Sequence, residues 1–192
     1  MSMQNNIQTE SKGFTLLELL ISLSVFSVVS FVLVVSTLSV VHAGRRSEES
    51  IVAMDNLHFA LEDMIRTLRF GGAYHCGTSG VVTAPMDCLS GDSTIYFEQY
   101  GGDPGLSGDQ VVYDLDPSTG QIRKSTDGGA TKHSLTSTKL KITSLKFYVR
   151  GSSPTDLVQS RVLVSISGET LGLSAGKEFH LQTTVMQGAT DK

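Results

Sequence analysis

Glu18 is the residue whose position most directly implies chemistry. It is the one charged residue between Phe14 and Val41, a run that is otherwise apolar apart from its serine and threonine hydroxyls. An ionised side chain inside a membrane-spanning helix costs about 2.5–3.5 kcal/mol even on the mildest insertion scale. Glu18 therefore needs a charge partner, or it is protonated, since burial in an apolar medium disfavours the charged form.

The spacing between Phe14 and Glu18 indicates a partner that a cut in the chain would supply. Cleavage after Gly13 would make Phe14 the N-terminal residue and give it an ammonium group. Residues i and i+4 lie one turn apart on a helix, so the ammonium would lie next to Glu18. Glu18 would also lie in the first turn, where the helix macrodipole favours an anion by about 0.3–1 kcal/mol.

Residues 12–20 carry a resemblance to a known family. They read Lys-Gly-Phe-Thr-Leu-Leu-Glu-Leu-Leu and precede a long apolar run, which resembles the N-terminal signature of type IV prepilins and type II secretion pseudopilins. The resemblance implies a leader peptide over residues 1–13, cleavage between Gly13 and Phe14 by a prepilin peptidase, and N-methylation of Phe14. It also implies that Glu18 meets the Phe14 amine of a neighbouring subunit during assembly; a contact within the same chain is the alternative.

The apolar run predicts a transmembrane helix over residues 14–43. It exceeds the roughly 20 residues needed to span a bilayer, and no proline interrupts it. A secretory signal peptide is the first alternative, but its apolar region has about 7–15 residues and follows a basic segment. Here Glu10 offsets Lys12 in the preceding residues, so a spanning helix is the expectation.

Orientation is predicted from the resemblance. Positive-inside counting sets Lys12 against Arg45 and Arg46, which favours the opposite orientation to that of a pilin. Pilins keep the leader in the cytoplasm. Following them, we expect a single-pass protein of the cytoplasmic (inner) membrane whose globular domain is periplasmic or extracellular and which joins a filament after assembly.

Residues 44–70 are expected to continue the helix in amphipathic form. Apolar residues recur there at three- and four-residue steps, the pattern of a helix with one face on a core. The members of this stripe are Ile51, Met54, Leu57, Leu61, Met64, Ile65 and Leu68. Gly71 and Gly72 are typical of a helix C-terminus.

Residues 71–192 are expected to form a β-rich globular domain. The predicted strands are 94–98, 110–115, 121–124, 140–149, 162–167 and 179–185, the second and third forming a hairpin. The apolar parity changes at Thr143 and Ser144, which indicates a bulge or a short break. A long N-terminal helix packed on an antiparallel sheet is an α+β fold and the pilin-like architecture. The size and strand order resemble minor subunits, particularly the J-type pseudopilin and the W-type minor pilin.

Cys76 and Cys88 are close enough in sequence to close a short loop. In an oxidising compartment they would form a disulfide, and the chain-entropy model assigns such a loop about 3 kcal/mol. A metal site of His75, Cys76 and Cys88 is the alternative, but the spacing fits no standard zinc pattern and a fourth ligand is lacking. We expect the disulfide and no metal site.

Composition and motifs argue against catalysis and nucleic-acid binding. The net charge of −4 is unlike the basic balance of a nucleic-acid surface, and the basic strip Lys139, Lys141, Lys146 and Arg150 is typical of solubility and edge protection. No phosphate loop, zinc-protease motif or nucleophile elbow occurs, so no enzyme activity, catalytic residue or cofactor is expected. Four aspartates lack calcium-loop spacing and are expected to form turns; they are Asp103, Asp109, Asp114 and Asp116.

The sequence thus predicts a minor pilin or pseudopilin, a structural subunit of a type IV pilus or a type II secretion pseudopilus. Its expected partners are the prepilin peptidase, other pilin subunits and inner-membrane lipid, and nucleic acid is not among them. The alternative is a single-span membrane anchor that carries a β-rich binding domain and is never processed.

Overall fold

A computed structural model describes residues 13–77, 85–103, 105–153, 155, 158–172 and 176–188. The chain divides into two compact units, Met1–Arg45 and Arg46–Lys192. Helix α1 (Leu16–Phe70) supplies the described helical part of the first unit and continues into the second. The predicted helix over residues 14–70 is therefore confirmed to within two residues at its N-terminus.

The C-terminus of α1 is fixed by groups that satisfy its last carbonyls. The Tyr74 hydroxyl lies 2.5 Å from the Leu68 carbonyl oxygen and 2.8 Å from that of Gly71. The backbone N–H of Gly188 donates to the carbonyl of Arg69 at 2.6 Å. The last carbonyls of a helix lack partners within the helix, so these contacts hold its end against the strands.

The strands of the second unit form two antiparallel sheets. In chain order they are β1 (Gly72–Cys76), β2 (Cys88–Asp92), β3 (Ile95–Glu98), β4 (Gln110–Asp116), β5 (Gln121–Ser125), β6 (His133–Ser134), β7 (Leu140–Arg150), β8 (Arg161–Thr170) and β9 (Glu178–Met186). The first sheet has the order β1-β3-β4-β5-β6 and the second β2-β7-β8-β9. A short 3₁₀ helix, Ser107–Asp109, precedes β4. The α+β, pilin-like fold class is confirmed.

The strand predictions agree with the structure where alternation is strong. The hairpin of β4 and β5 is present, with Asp116 opposite Gln121. The predicted irregularity in β7 is a shift of register against β8 between Ile142 and Ser144, and the strand continues through it. Strands β1, β2 and β6 were not predicted, because β1 and β2 contain glycine and lie beside the cysteines, whereas β6 has only two residues.

The main hydrophobic core of the described residues lies among the second half of α1 and both sheets. The helix contributes Leu57, Met64 and Leu68 to this core, and each of them is at most 1% exposed. Full burial of a large aliphatic side chain is worth about 1.5–3 kcal/mol each. The sheet residues of this core include Tyr74, Phe97, Tyr113, Ile122, Leu145, Phe147, Val162, Val164, Ile166 and Val185.

The disulfide joins the two sheets at their edges. Cys76 ends β1, an edge strand of the first sheet, and Cys88 begins β2, an edge strand of the second. Their sulfur atoms are bonded in the structure. The bridge therefore crosslinks two layers of the fold as well as closing a loop, part of which lies outside the described residues.

Candidate functional site

The N-terminus of α1 is built by a capping arrangement at Thr15. The backbone N–H of Glu18 donates to Thr15 Oγ1 at 3.3 Å, and the N–H of Leu19 donates to the Thr15 carbonyl at 3.2 Å. A threonine that accepts from the third helical residue is an N-cap. Thr15 thus fixes where the helix begins, immediately after the predicted cleavage point.

Phe14 and Gly13 precede this cap and are accessible. The Phe14 side chain is 81% exposed, and a Cβ added at Gly13 would find no atom within 4 Å. The Gly13–Phe14 peptide bond therefore meets no steric obstacle from the described residues. Residues 1–12 of the predicted leader lie outside them.

Glu18 occupies the first turn of α1 as expected, whereas Phe14 lies before the helix and not in the same turn as Glu18. The helix N-terminus carries unpaired N–H groups and a partial positive charge, so a carboxylate there is favourable. No other described residue forms an ion pair with Glu18. The helix N-terminus thus offsets part of the negative charge of Glu18 and leaves its carboxylate accessible to a second group.

The apolar segment of α1 presents its side chains outward. α1 contains a stretch long and apolar enough to cross a membrane, and no residue of that stretch is buried. Its leucine, valine, isoleucine and phenylalanine side chains are about half exposed or more, as Phe26 at 68% and Phe31 at 71% illustrate. Such a surface needs lipid or other apolar helices around it.

Three hydroxyl groups of this segment donate to its own backbone. Ser24 donates to the carbonyl of Ile21, Ser27 to that of Leu23 and Thr37 to that of Leu33, each at 2.8 Å. In hydrocarbon a polar group must find its partner within the protein. These bonds to the preceding turn let the three hydroxyls enter lipid without a partner from elsewhere.

The second half of α1 is anchored to the first sheet by a charged contact. Asp63 accepts from the Lys124 ammonium (2.8 Å) and from the Tyr113 hydroxyl (2.8 Å). Burial raises the pKa of Tyr113, and the adjacent Asp63 charge acts in the same direction. The phenol therefore stays a donor at neutral pH. Asp63 therefore faces β4 and β5.

Two of the four aspartates considered for calcium are neutralised by cations. Asp114 accepts from Arg123 through two nitrogens (2.9 and 2.8 Å) and from Lys132 (2.7 Å). Burial opposes ionisation of Asp114, yet these bonds lower its pKa. Asp116 accepts from the Ser118 hydroxyl and backbone, which lowers its pKa to about 2, and it also pairs with Arg123 (3.1 Å). Both carboxylates already have basic partners.

The other two aspartates lie near the buried carboxylate of Glu98. The Asp109 carboxylate accepts from the Asp103 backbone at 3.0 Å. Glu98 is 4% exposed, and its carboxylate oxygens make no hydrogen bond of ordinary geometry with a described residue, although the Gln110 side chain lies close enough to influence it. Burial raises the pKa of Glu98; the Gln110 side chain opposes this shift, and the charges of Asp109 and Asp103 add to it. Among the described residues, no group of three or more metal-binding side chains comes together.

The basic strip is dispersed along one strand. Lys141, Lys146 and Arg150 are exposed residues of β7, and Lys139 lies just before that strand. Lys141 pairs with Glu169 of β8 at 3.5 Å. The strip therefore lies on the outer face of the second sheet, where one of its charges is already compensated.

Thr15 is the residue that the sequence prediction missed. Thr15-x-x-Glu18 is the capping-box pattern, in which the threonine accepts from the glutamate backbone. This pattern was readable in the sequence. It places the helix start two residues after the predicted one, through a bond from the backbone N–H of Glu18.

The described fold and the apolar N-terminal helix indicate a single-span, membrane-anchored α+β protein. Residues 9–34 match the family model described as the prokaryotic N-terminal methylation motif. This match supports a type IV prepilin-like protein that is processed by prepilin peptidase. No curated protein and no solved structure matches the chain.

Proposed function

We propose that the chain is a minor pilin or pseudopilin, cleaved between Gly13 and Phe14, N-methylated at Phe14, and assembled into a type IV pilus or a type II secretion pseudopilus. The methylation-motif match over residues 9–34 carries this proposal. The accessible Gly13–Phe14 bond directly before the Thr15 cap supports it from the structure.

Cleavage would complete the charge arrangement at the helix start. The new Phe14 ammonium would stand four residues before Glu18, directly ahead of the Thr15 cap, and Glu18 has no ion-pair partner among the residues that the structure describes. In a bundle of such helices, the Glu18 carboxylate of one subunit would pair with the Phe14 ammonium of its neighbour. The pairing favours assembly because each charge alone is costly in lipid.

Orientation and role follow from the same proposal. The leader remains in the cytoplasm, residues 14–43 span the inner membrane, residues 44–70 continue the helix, and residues 71–192 form the periplasmic or extracellular domain. The protein acts by assembly, and the domain contributes no reaction. Its size and its two sheets support a minor subunit.

The assembly step is tested with Glu18→Gln, which keeps the shape of the side chain and removes its charge. Glu48→Gln is the matched control, because Glu48 is an exposed helix residue outside the apolar run. Both variants are co-expressed with a filament system and recovered from sheared filaments. We expect Glu18→Gln to insert normally in the membrane. Its amount in the recovered filaments should be at least about tenfold lower than that of the wild type, because a charged pair is lost. Equal recovery of both variants would contradict the assembly role.

The processing step is tested separately with Gly13→Leu, which adds bulk next to the scissile bond. Gly44→Ala is the control, since a side chain there also meets no atom within 4 Å. We expect the first variant to keep the leader and the second to lose it. A wild-type chain that keeps its leader beside an active prepilin peptidase would favour the alternative, an unprocessed anchor with a binding domain.

A further inference from the structure

The outer face of the second sheet contains a groove that the proposed function does not use. Its cavity volume is about 530 Å³, within the range of ligand sites. The lining residues are Leu89 of β2, Tyr148 and Arg150 of β7, Arg161 and Leu163 of β8, and Thr184 of β9. We call it the arginine groove.

Two arginines of this groove lie directly opposite each other. Arg150 and Arg161 are cross-strand partners in the ladder of β7 and β8. Side chains at such positions have Cβ atoms about 4.5–5.5 Å apart, and like charges there are destabilising. Neither arginine forms an ion pair with a described residue. An anion between the two guanidinium groups would remove this repulsion.

The nearby carboxylate of Asp87 does not fill that role. Its Oδ1 accepts from the backbone and hydroxyl of Ser152, at 2.9 and 2.8 Å. Burial opposes ionisation of Asp87, whereas these bonds and the charge of Arg150 lower its pKa. Arg150 therefore acts on Asp87 at longer range and keeps its own donors available.

The apolar half of the groove is held in place by Tyr148. A Cβ at Gly91 would stand 2.5 Å from Tyr148 Cε1, so only a glycine lets the ring lie over β2. The φ of +73° at Gly91 also favours glycine. Tyr148 and Leu163 are cross-strand partners. A fixed aromatic and apolar wall thus adjoins the two arginines.

We propose that the arginine groove binds an acidic segment of a partner polypeptide, with an internal aspartate or glutamate between Arg150 and Arg161 and a neighbouring apolar side chain against Tyr148 and Leu163. Charge complementarity selects the acid, because guanidinium groups match a carboxylate through paired hydrogen bonds. The apolar wall selects a neighbouring hydrocarbon side chain, which an isolated anion lacks. The proposal does not depend on cleavage at Gly13.

The test uses the full chain in detergent micelles and a fluorescein-labelled peptide amide, Gly-Ser-Phe-Asp-Leu-Ser-Gly. Fluorescence anisotropy measures its Kd against the same peptide with asparagine in place of aspartate. We expect the asparagine peptide to bind at least about tenfold more weakly, the loss typical of a hydrogen bond to a charged group. Equal affinity of the two peptides, or no binding of the aspartate peptide, would overturn the proposal.

Variants of the groove locate the binding. Arg150→Gln and Arg161→Gln should each weaken binding by about tenfold, and Arg150→Lys should weaken it too, because lysine lacks the planar fork. Lys146→Gln is the control, since Lys146 is an exposed residue of β7 that does not line the groove. Circular dichroism checks that each variant is folded. An equal loss in Lys146→Gln would point to general charge attraction and contradict the site.

Two competitors identify the kind of ligand. A peptide with no internal acid but a free C-terminal carboxylate, and a single-stranded thymidine oligonucleotide, are each added to the labelled complex. We expect neither to displace the aspartate peptide at equal concentration. Displacement by the first would assign the groove to chain termini, and displacement by the second would assign it to phosphates; either result would overturn the proposed occupant.

Discussion

Residues 16–45 and 46–70 belong to one helix, α1, but their side chains have different surroundings and different hydrogen-bond partners. In the first segment the apolar side chains are exposed and hydroxyls such as Ser24 and Ser27 bond to the preceding turn. In the second, Leu57 and Met64 are fully buried and Asp63 bonds across to the first sheet. The first segment suits a medium without hydrogen-bonding partners, whereas the second depends on protein packing.

A continuous helix therefore need not have one role. Glu18 lies in the first segment without an ion-pair partner among the described residues, while Asp63 in the second has Lys124 at 2.8 Å. A charge that folding leaves unpaired is available to a group outside the described residues. A charge that folding pairs serves the stability of the domain.

The largest effect that separates the segments is expected from Leu57→Ala. Leu57 is 0% exposed, so truncation should lower the free energy of unfolding by about 2–5 kcal/mol. The free energy of unfolding is measured in micelles by urea titration, with near-ultraviolet circular dichroism as the signal. Leu33→Ala, in the first segment and 62% exposed, should leave the transition unchanged. Equal losses in both variants would show that the segments do not differ in packing.

Val29→Lys, a change in the first segment, should impair membrane insertion. A lysine near the middle of the apolar run should cost about 2.5–3.5 kcal/mol of membrane insertion. Insertion is measured by glycosylation mapping in microsomes. Phe59→Lys, at an exposed position of the second segment (68%), is the control and should insert like the wild type. Normal insertion of Val29→Lys would argue against the spanning role.

Removal of the disulfide should affect only the second unit. Cys76→Ser combined with Cys88→Ser should lower the free energy of unfolding by about 2–4 kcal/mol, because the bridge joins the two sheets. Urea unfolding with and without reductant checks the result, since reduced wild type should match the double variant. Membrane retention after alkaline extraction should not change. A shift in retention would mean that the two units are coupled.

The smallest effect is expected from Glu98→Gln and has a defined pH dependence. The pKa of Glu98 is raised above 4.5 in the folded state, chiefly by burial, so its stabilising contribution is present below pH 4.5 and is lost as pH rises through the folded pKa. The free energy of unfolding of Glu98→Gln should therefore exceed that of the wild type by about 1 kcal/mol at pH 7 and equal it at acid pH. Thermal unfolding scans at a series of pH values measure this difference.

Asp114→Asn is the control of opposite sign. The folded pKa of Asp114 lies below 3.8, so its contribution is present above that value and is lost as pH falls. The variant should lose stability at pH 7 and approach the wild type in acid. The same pH trend in both variants would contradict the assigned environments.

Local patterns predicted the parts of the molecule that depend on neighbours in sequence. The apolar run, the Glu18 spacing and the alternation of β7 and β8 are readable because helix and strand periods act over a few residues. Ile51 was expected in the core and is 58% exposed, since periodicity shows that a helix has an apolar side but not how far the sheets reach along it.

Contacts between distant strands could not be predicted in the same way. The crosslink of two sheets by Cys76 and Cys88 needs the strand order, and the pairing of Arg150 with Arg161 needs the register of β7 against β8. A shift of one residue would send every side chain of a strand to the other face. The arginine groove is therefore a property of the fold.

The N-terminal mass of the chain, measured after expression with and without a prepilin peptidase, decides whether the chain is processed as a prepilin. With the peptidase, we expect a mature chain that begins at Phe14 and carries one methyl group on its amine. Without the peptidase, the leader should remain. A chain that still carries residues 1–13 in the presence of active peptidase would contradict processing at Gly13–Phe14.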